Sequence, residues 1–534
     1  MFPYTVKFMN YTKKLNNIVI FFILIITSIL ISYTYYFDHL ALVNASLLYN
    51  DEIYKDKTNL FYLIQSNSPS FLFVIINFFI KIGFSTNFIN LSLTFIATLL
   101  NLSGIYLISK FITSSILLSI LISTTAIFLT KNFGNIDYPT LMFSWHTVGL
   151  FAYSISTFIL GLLTLRNLLF AFLTCLLLLS IHLIVGLWMI GIIFLSSYFF
   201  IEKKNMKKIA ITIFIFLVVV LFYVNWFSNY AAEIPFEFNQ KDYDDYFFYI
   251  EAHRTNMGNL DNMYFKYVLK SFVLLALILL YLKYNLSNIT NNNNFFLKTL
   301  SLSIIFSGII YFTYKIFPQI FPEIAVRTIP QRFFLIHSII GYPVIISIIA
   351  MFLQKLFIHR KLNKNYSLHL ISIILILHIF QQNDFLRSRV QNIQLIKNDK
   401  IKEQLFWEEF KNLNLNGYIL TSNYLCNKTI IYSRQPILFC FEGLDYIPYL
   451  PKFASPSQVM TKKILGISYS EVKYKNLGGI SEIEVKEGYE KKNLTDWRII
   501  KNEFNVNTLI VPKEWNLNID NLIINGKYKV YKIE

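Results

Sequence analysis

The sequence predicts a polytopic α-helical membrane protein that ends in a soluble α/β domain. Three observations carry this. Of the 534 residues, 55% are hydrophobic and the mean hydropathy is +0.49. A soluble fold of this length does not hide so much apolar surface, so lipid is the solvent for most of it. Apolar stretches of span length recur between 17 and 382, separated by polar connections. After about residue 383 the character changes, with charges of both signs, aromatics and turn residues interspersed.

Lys and Arg number 48 against 31 Asp and Glu, a formal net charge of +17. In a soluble chain this excess would suggest nucleic acid. Here the cations belong to cytoplasmic loops and lipid headgroups. No basic patch interleaved with aromatics is visible, so no nucleic-acid partner is expected.

The first apolar stretch, 17–36, follows Lys13 and Lys14 and has the length of a full span, roughly 20 residues. No small-residue cleavage site follows it, which predicts a retained helix and not a signal peptide. Further apolar stretches run 69–83, 87–109, 112–129, 147–165, 167–200, 209–227, 265–283, 297–316, 333–353 and 366–382. In lipid each must pair its backbone groups internally, so each is expected to be helical. The stretch 167–200 is too long for one span and is expected to break near His182 to Gly186.

Positive loops orient the chain. Lys203, Lys204, Lys207 and Lys208 place 202–208 in the cytoplasm, and Lys355, Arg360, Lys361 and Lys364 do the same for 354–364. The loop 228–264 is acidic and suits the outside. With the N-terminus inside, an odd number of crossings must separate 69 from 200. Six candidates are visible there, so one, taken as 69–83, is expected to be re-entrant or interfacial. The result is about 11 transmembrane helices, with the N-terminus cytoplasmic and the C-terminal domain extracytoplasmic, in a multi-pass protein of the inner (plasma) membrane.

The expected division is a transmembrane module, 1–383, and a soluble extracytoplasmic α/β domain, 384–534. In the latter, 393–413 reads as a helix, and "GYILTS", "TIIYS", "PILFCF", "NTLIVP" and "YKVYKI" read as short strands. Cys426 and Cys440 can pair only if this domain lies in an oxidising compartment; the plainer expectation is two buried thiols.

The first outside loop concentrates chemistry beside the membrane: Asp38 and His39 at the end of the first helix, then Asp51, Glu52 and Asp56. Such carboxylates can take a proton as general base or hold a divalent cation, Mg or Mn. Individually, each also suits a helix cap or a loop. The segment "FPQIFPEIAVRTIPQR" carries Arg327 and Arg332, which can grip a phosphate through paired hydrogen bonds; the plainer reading is snorkelling at the interface. His146, near Asp137 and Trp145, and His182 interrupt apolar segments and suit the lining of a substrate cavity or simple packing. There is no Walker loop, dinucleotide fingerprint, HExxH or CxxC, so nothing points to ATP, nicotinamide or structural zinc.

This plan resembles the GT-C glycosyltransferases, which include protein O-mannosyltransferases, oligosaccharyltransferase catalytic subunits and lipid A aminoarabinose transferases. The chain is similar to bacterial GT-C-like membrane proteins through "DHL", "LYNDEIYKD" and "SPSFLF", then "SWHTVGLFAYS", "SIHLIVGLW" and "VRTIPQRFF", and "YILTS", "SRQPILF", "PYLP" and "FNVNTLIVP". The resemblance implies transfer of a sugar from a polyprenyl-phosphate-linked donor to a lipid, glycan or protein acceptor outside the cytoplasm. It implies Asp38 or Asp56 as the catalytic carboxylate and Arg327 or Arg332 as the phosphate ligand, with membrane lipid around the donor. The first outside loop has no DxD, which departs from the pattern and leaves metal use open. The competing classes are a flippase or permease, which would show two similar halves, and a non-catalytic scaffold.

Overall fold

The computed structural model describes residues 18–33, 40–49, 53–68, 70–126, 148–200, 206–230, 233–251, 257–285, 294–317, 333–360, 364–381, 403, 405–413, 415–474, 479–525 and 527–533. The chain is mostly helical, with a small sheet near the C-terminus. Among the described residues, five helices are long and apolar enough to cross a membrane: Thr86–Thr113, Leu183–Phe200, Tyr267–Tyr284, Phe295–Thr313 and Ile339–Phe357. Shorter apolar helices accompany them at Ile18–Tyr33, Ile116–Thr125, Val148–Thr164, Leu168–Ile181, Leu217–Trp226 and His369–Gln381.

Short polar connections set the helix ends. Ser85 accepts a hydrogen bond from the Phe88 amide and starts Thr86–Thr113. Ser114 takes a left-handed conformation and ends it, and Ser115 caps Ile116–Thr125 through the Leu118 amide. The long stretch 167–200 breaks at His182 into Leu168–Ile181 and Leu183–Phe200. Gly186 fits against Leu179 there, where an added Cβ would lie 2.4 Å from the Leu179 Cα.

The segment 69–83 is not a simple membrane element. Helix Phe71–Lys81 is bent by 106° from Leu60–Ser66. Leu60–Ser66 is wholly buried, and its Phe61, Leu63 and Ile64 belong to the same apolar core as the C-terminal domain.

That domain is built on a four-stranded sheet: β1 (Tyr418–Thr421), β2 (Val506–Pro512), β3 (Asn521–Asn525) and β4 (Tyr528–Lys532), in the order β1-β2-β4-β3. β1 and β2 are parallel, and β4 is antiparallel to both β2 and β3. The parallel pair needs a long crossover. Helices Ala454–Leu465, Glu482–Glu490 and Leu494–Phe504 form part of it.

Two sequence-derived strands need correction. "TIIYS" is the π-helical turn Thr429–Ser433, continuing a helix that begins at Asn423. "PILFCF" makes only one bridge, Ile437 with Ile419, before turning towards Cys440. Cys440 is bonded to Cys426, with 6.0 Å between the Cα atoms. The expectation of two separate buried thiols is therefore also corrected. One strand, β3, was not legible: its alternation is short and surrounded by Asn. Of the expected helix 393–413, residues 405–411 are described as helical.

The core of the C-terminal domain is not made by that segment alone. Tyr54, Phe61 and Ile64 from the first connection, and Tyr243, Tyr246, Phe247 and Ile250 from the acidic one, pack into one cluster with Trp407, Leu420, Phe441, Trp497 and Ile510. Two connections separated by nearly two hundred residues thus meet the same domain.

Candidate functional site

Tyr54 fixes the first connection. It is 1% exposed, and its hydroxyl donates to the Ile437 carbonyl at 2.8 Å and accepts from the Ile437 amide at 3.1 Å. Asn59 adds a second tie: its Nδ2 donates to Leu438 O at 3.2 Å, and its Oδ1 accepts from the Tyr62 amide at 3.0 Å, starting the buried helix Leu60–Ser66. The acidic connection is pinned similarly. Tyr243 donates to Pro448 O at 3.1 Å and Tyr246 to Leu444 O at 2.9 Å.

Between Tyr54 and Asn59 residues 55–58 are exposed, Asp56 among them. Its Oδ1 accepts from the Thr58 amide at 2.9 Å and the Thr58 hydroxyl at 2.6 Å, and its Oδ2 accepts from Tyr418 Oη at 3.4 Å. The two Thr58 hydrogen bonds, helped by Tyr418, hold the Asp56 carboxyl below the usual carboxylate range. Tyr418 is pushed up to about 12, first by burial and then by the Asp56 charge.

Asp56 opens onto a cleft of about 1540 Å³. Its walls come from 53–56, 58–60, 236–240, 415–418, 434–436, 438, 455–456, 459–460 and 503–505. All are connections or parts of the C-terminal domain; no apolar span contributes among the described residues. Three features of the rim are conformationally special. Gly417 has φ +84, and a Cβ there would lie 2.4 Å from the Asn505 carbonyl oxygen, so only glycine fits. Asn505 and Arg434 both adopt left-handed backbone, with φ 54 and 58. Asn tolerates this conformation, whereas Arg does so at a cost that tends to persist at functional sites. Arg434 follows directly on the π-helical turn Thr429–Ser433, another feature common at such sites.

Asp56 and His182 are the only residues of the sequence-derived set within the described residues. Asp38, His39, Asp51, Glu52, His146, Arg327 and Arg332 lie outside them. His182 is far from this chemistry in role. It occupies the break between two apolar helices, and its Nδ1 accepts from the Val185 amide at 3.5 Å, which makes it a cap for Leu183–Phe200. Among the described residues no group of three or more His, Cys, Asp or Glu is placed to hold a metal ion.

No family model and no curated protein matches this chain.

Sequence reading missed Tyr418, Arg434 and the amide side chains of the rim. The segment "SRQP" carried a weak signal, since a cation beside proline between two apolar runs marks an exposed turn. Nothing in the sequence brings that turn to Asp56, 378 positions earlier.

Proposed function

We propose that this chain is an integral-membrane glycosyltransferase of GT-C type, using a polyprenyl-phosphate-linked sugar outside the cytoplasm. The observation that carries the reading is the placement of Asp56. The segment that follows the first apolar helices is locked into the C-terminal domain and presents a carboxylate to a large open cleft.

Several features support it. The two connections assigned to the outside by charge share a core with the C-terminal domain. The Cys426–Cys440 bond fits an oxidising, extracytoplasmic compartment. The five helices long and apolar enough to cross a membrane support a multi-pass protein; about 11 spans would require the six shorter apolar helices to cross as well.

The cleft is made only of soluble segments, so we assign it to the acceptor. The donor phosphate would be held by Arg327 and Arg332. The acceptor oxygen attacks the anomeric carbon, and the bond from that carbon to the phosphate oxygen breaks. Polyprenyl phosphate leaves with the bonding electrons, its charge offset by arginine. The acceptor proton passes to a carboxylate. Asp56 is kept charged by three hydrogen bonds and is a weak base for that purpose. This favours Asp38, Asp51 or Glu52 for the proton and gives Asp56 an orienting role. If the reaction uses a divalent cation, Mg or Mn, then Asp38, Asp51 and Glu52 would be the residues to hold it, and it would offset charge on the departing phosphate.

The test uses the full chain in nanodiscs with a radiolabelled polyprenyl-phosphate sugar. Arg327→Gln and Arg332→Gln should weaken donor binding, and one of Asp38→Asn, Asp51→Asn and Glu52→Gln should abolish transfer without abolishing binding. Unchanged donor binding in both arginine variants would remove the assignment.

A further inference from the structure

We propose that the cleft beside Asp56 binds a neutral oligosaccharide chain. The inference rests on the transferase reading only for naming this cleft as the acceptor site; the binding itself is argued from the walls.

Size comes first. At about 1540 Å³ the cleft exceeds the roughly 300–1,000 Å³ of small-ligand sites. It suits a chain that lies across it. Charge comes next. Lys55 and Arg434 line the cleft together with Asp56, Glu237 and Glu503, and Glu503 is already paired with Lys463. No positive excess exists to hold a phosphate-rich or acidic polymer.

Hydrogen-bonding capacity is the third point. The side-chain amides of Asn416, Gln435 and Asn505 line the cleft without a hydrogen bond among the described residues. Each offers both donors and an acceptor, as does each sugar hydroxyl. Phe238, 46% exposed, and the half-buried rings of Tyr418 and Phe504 add apolar faces for the C–H faces of pyranose rings. The left-handed backbone at Asn505 and the glycine-only position at 417 fix two of these groups before any ligand arrives.

An extended peptide fits less well. It would pair with the outer edge of β1, but that edge is covered: the Ile419 amide donates to Pro436 O at 3.0 Å, and the Leu438 amide donates to Ile419 O at 2.9 Å.

The experiment measures binding of neutral glucose, mannose and N-acetylglucosamine hexasaccharides to the full chain in nanodiscs by calorimetry. An acidic galacturonate hexamer and an unrelated hexapeptide serve as comparisons. At least one neutral hexasaccharide should bind, with the two comparisons weaker by about tenfold or more. Phe238→Ala and the pair Asn416→Ala, Asn505→Gly, all at exposed positions, should each weaken it by about tenfold, the worth of one good contact. Failure of all three neutral chains to bind, preference for the acidic chain or the peptide, or undiminished binding by both variants overturns the proposal. Binding by a protein that transfers no sugar would count against the transferase reading alone. Transfer to a lipid acceptor without hexasaccharide binding would count against this proposal alone.

Discussion

Tyr54 and Ile437 exchange two hydrogen bonds through one phenolic oxygen, which donates at 2.8 Å and accepts at 3.1 Å across 383 positions of chain. The phenol acts as a strand neighbour would, satisfying both backbone groups of a residue that bridges β1 only once. The arrangement makes the first connection part of the C-terminal domain. Tyr54→Phe keeps the ring but leaves a buried amide and carbonyl unpaired, so it should destabilise this junction by about 1–3 kcal/mol. Faster tryptic cleavage at the exposed Lys55 and Lys57 is the expected sign, and wild-type resistance would contradict it.

The Asp56 carboxyl lies below the usual carboxylate range because Thr58 donates to it twice. A carboxyl lowered in the folded state adds stability above its unfolded pKa and loses it as pH falls through the lowered folded value. Docking of 53–59 should therefore persist through mildly acidic pH and weaken only below the ordinary Asp range. Thr58→Val should move that loss to higher pH. Hydrogen exchange of this segment as a function of pH measures both, and superimposable profiles for the two proteins would exclude the Thr58 effect.

Cys426 and Cys440 are bonded across a separation of 14 residues. Closing such a loop is worth about 3 kcal/mol on a chain-entropy estimate. Neither thiol should alkylate in the unfolded protein before reduction, and both should afterwards. The double Ser variant should melt earlier. Alkylation of either thiol in unreduced, denatured protein would show that the bond is not formed.

Within the bundle, Gly104 and Gly161 let helices Thr86–Thr113 and Val148–Thr164 touch. A Cβ on Gly104 would lie 2.4 Å from Thr157 O, and one on Gly161 would lie 2.8 Å from the Gly104 Cα. Nearby, Asn101 Nδ2 donates to Ser154 Oγ at 2.8 Å. Small residues and buried amides are how apolar helices associate in lipid. Gly104→Ala should separate the pair and cost about 1–3 kcal/mol, read as a lower melting temperature in detergent. An unchanged melting temperature would mean that this contact is not made.

By itself, the sequence determined what lipid and local geometry dictate. Apolar runs of span length had to be helical, and a run as long as 167–200 had to break, which it does at His182. Composition also marked the strands "YILT", "NTLIVP" and "YKVYK", whose β-branched and aromatic residues lie between Gly, Asn and Pro.

Tertiary structure decided the rest, because it depends on partners distant in sequence. "TIIYS" has strand composition but continues a helix tied down by the Cys426–Cys440 bond. Phe61 and Ile64, in the connection after the first helix, are buried with Phe441 and Trp497 in the core of the C-terminal domain. Asp56 was legible as a candidate from its place after the first helix. Its companions Tyr418 and Arg434 were not, since a hydrogen bond spanning 362 positions and a left-handed arginine leave no local pattern to read. The cleft exists only because two connections and one domain bury their aromatic residues together.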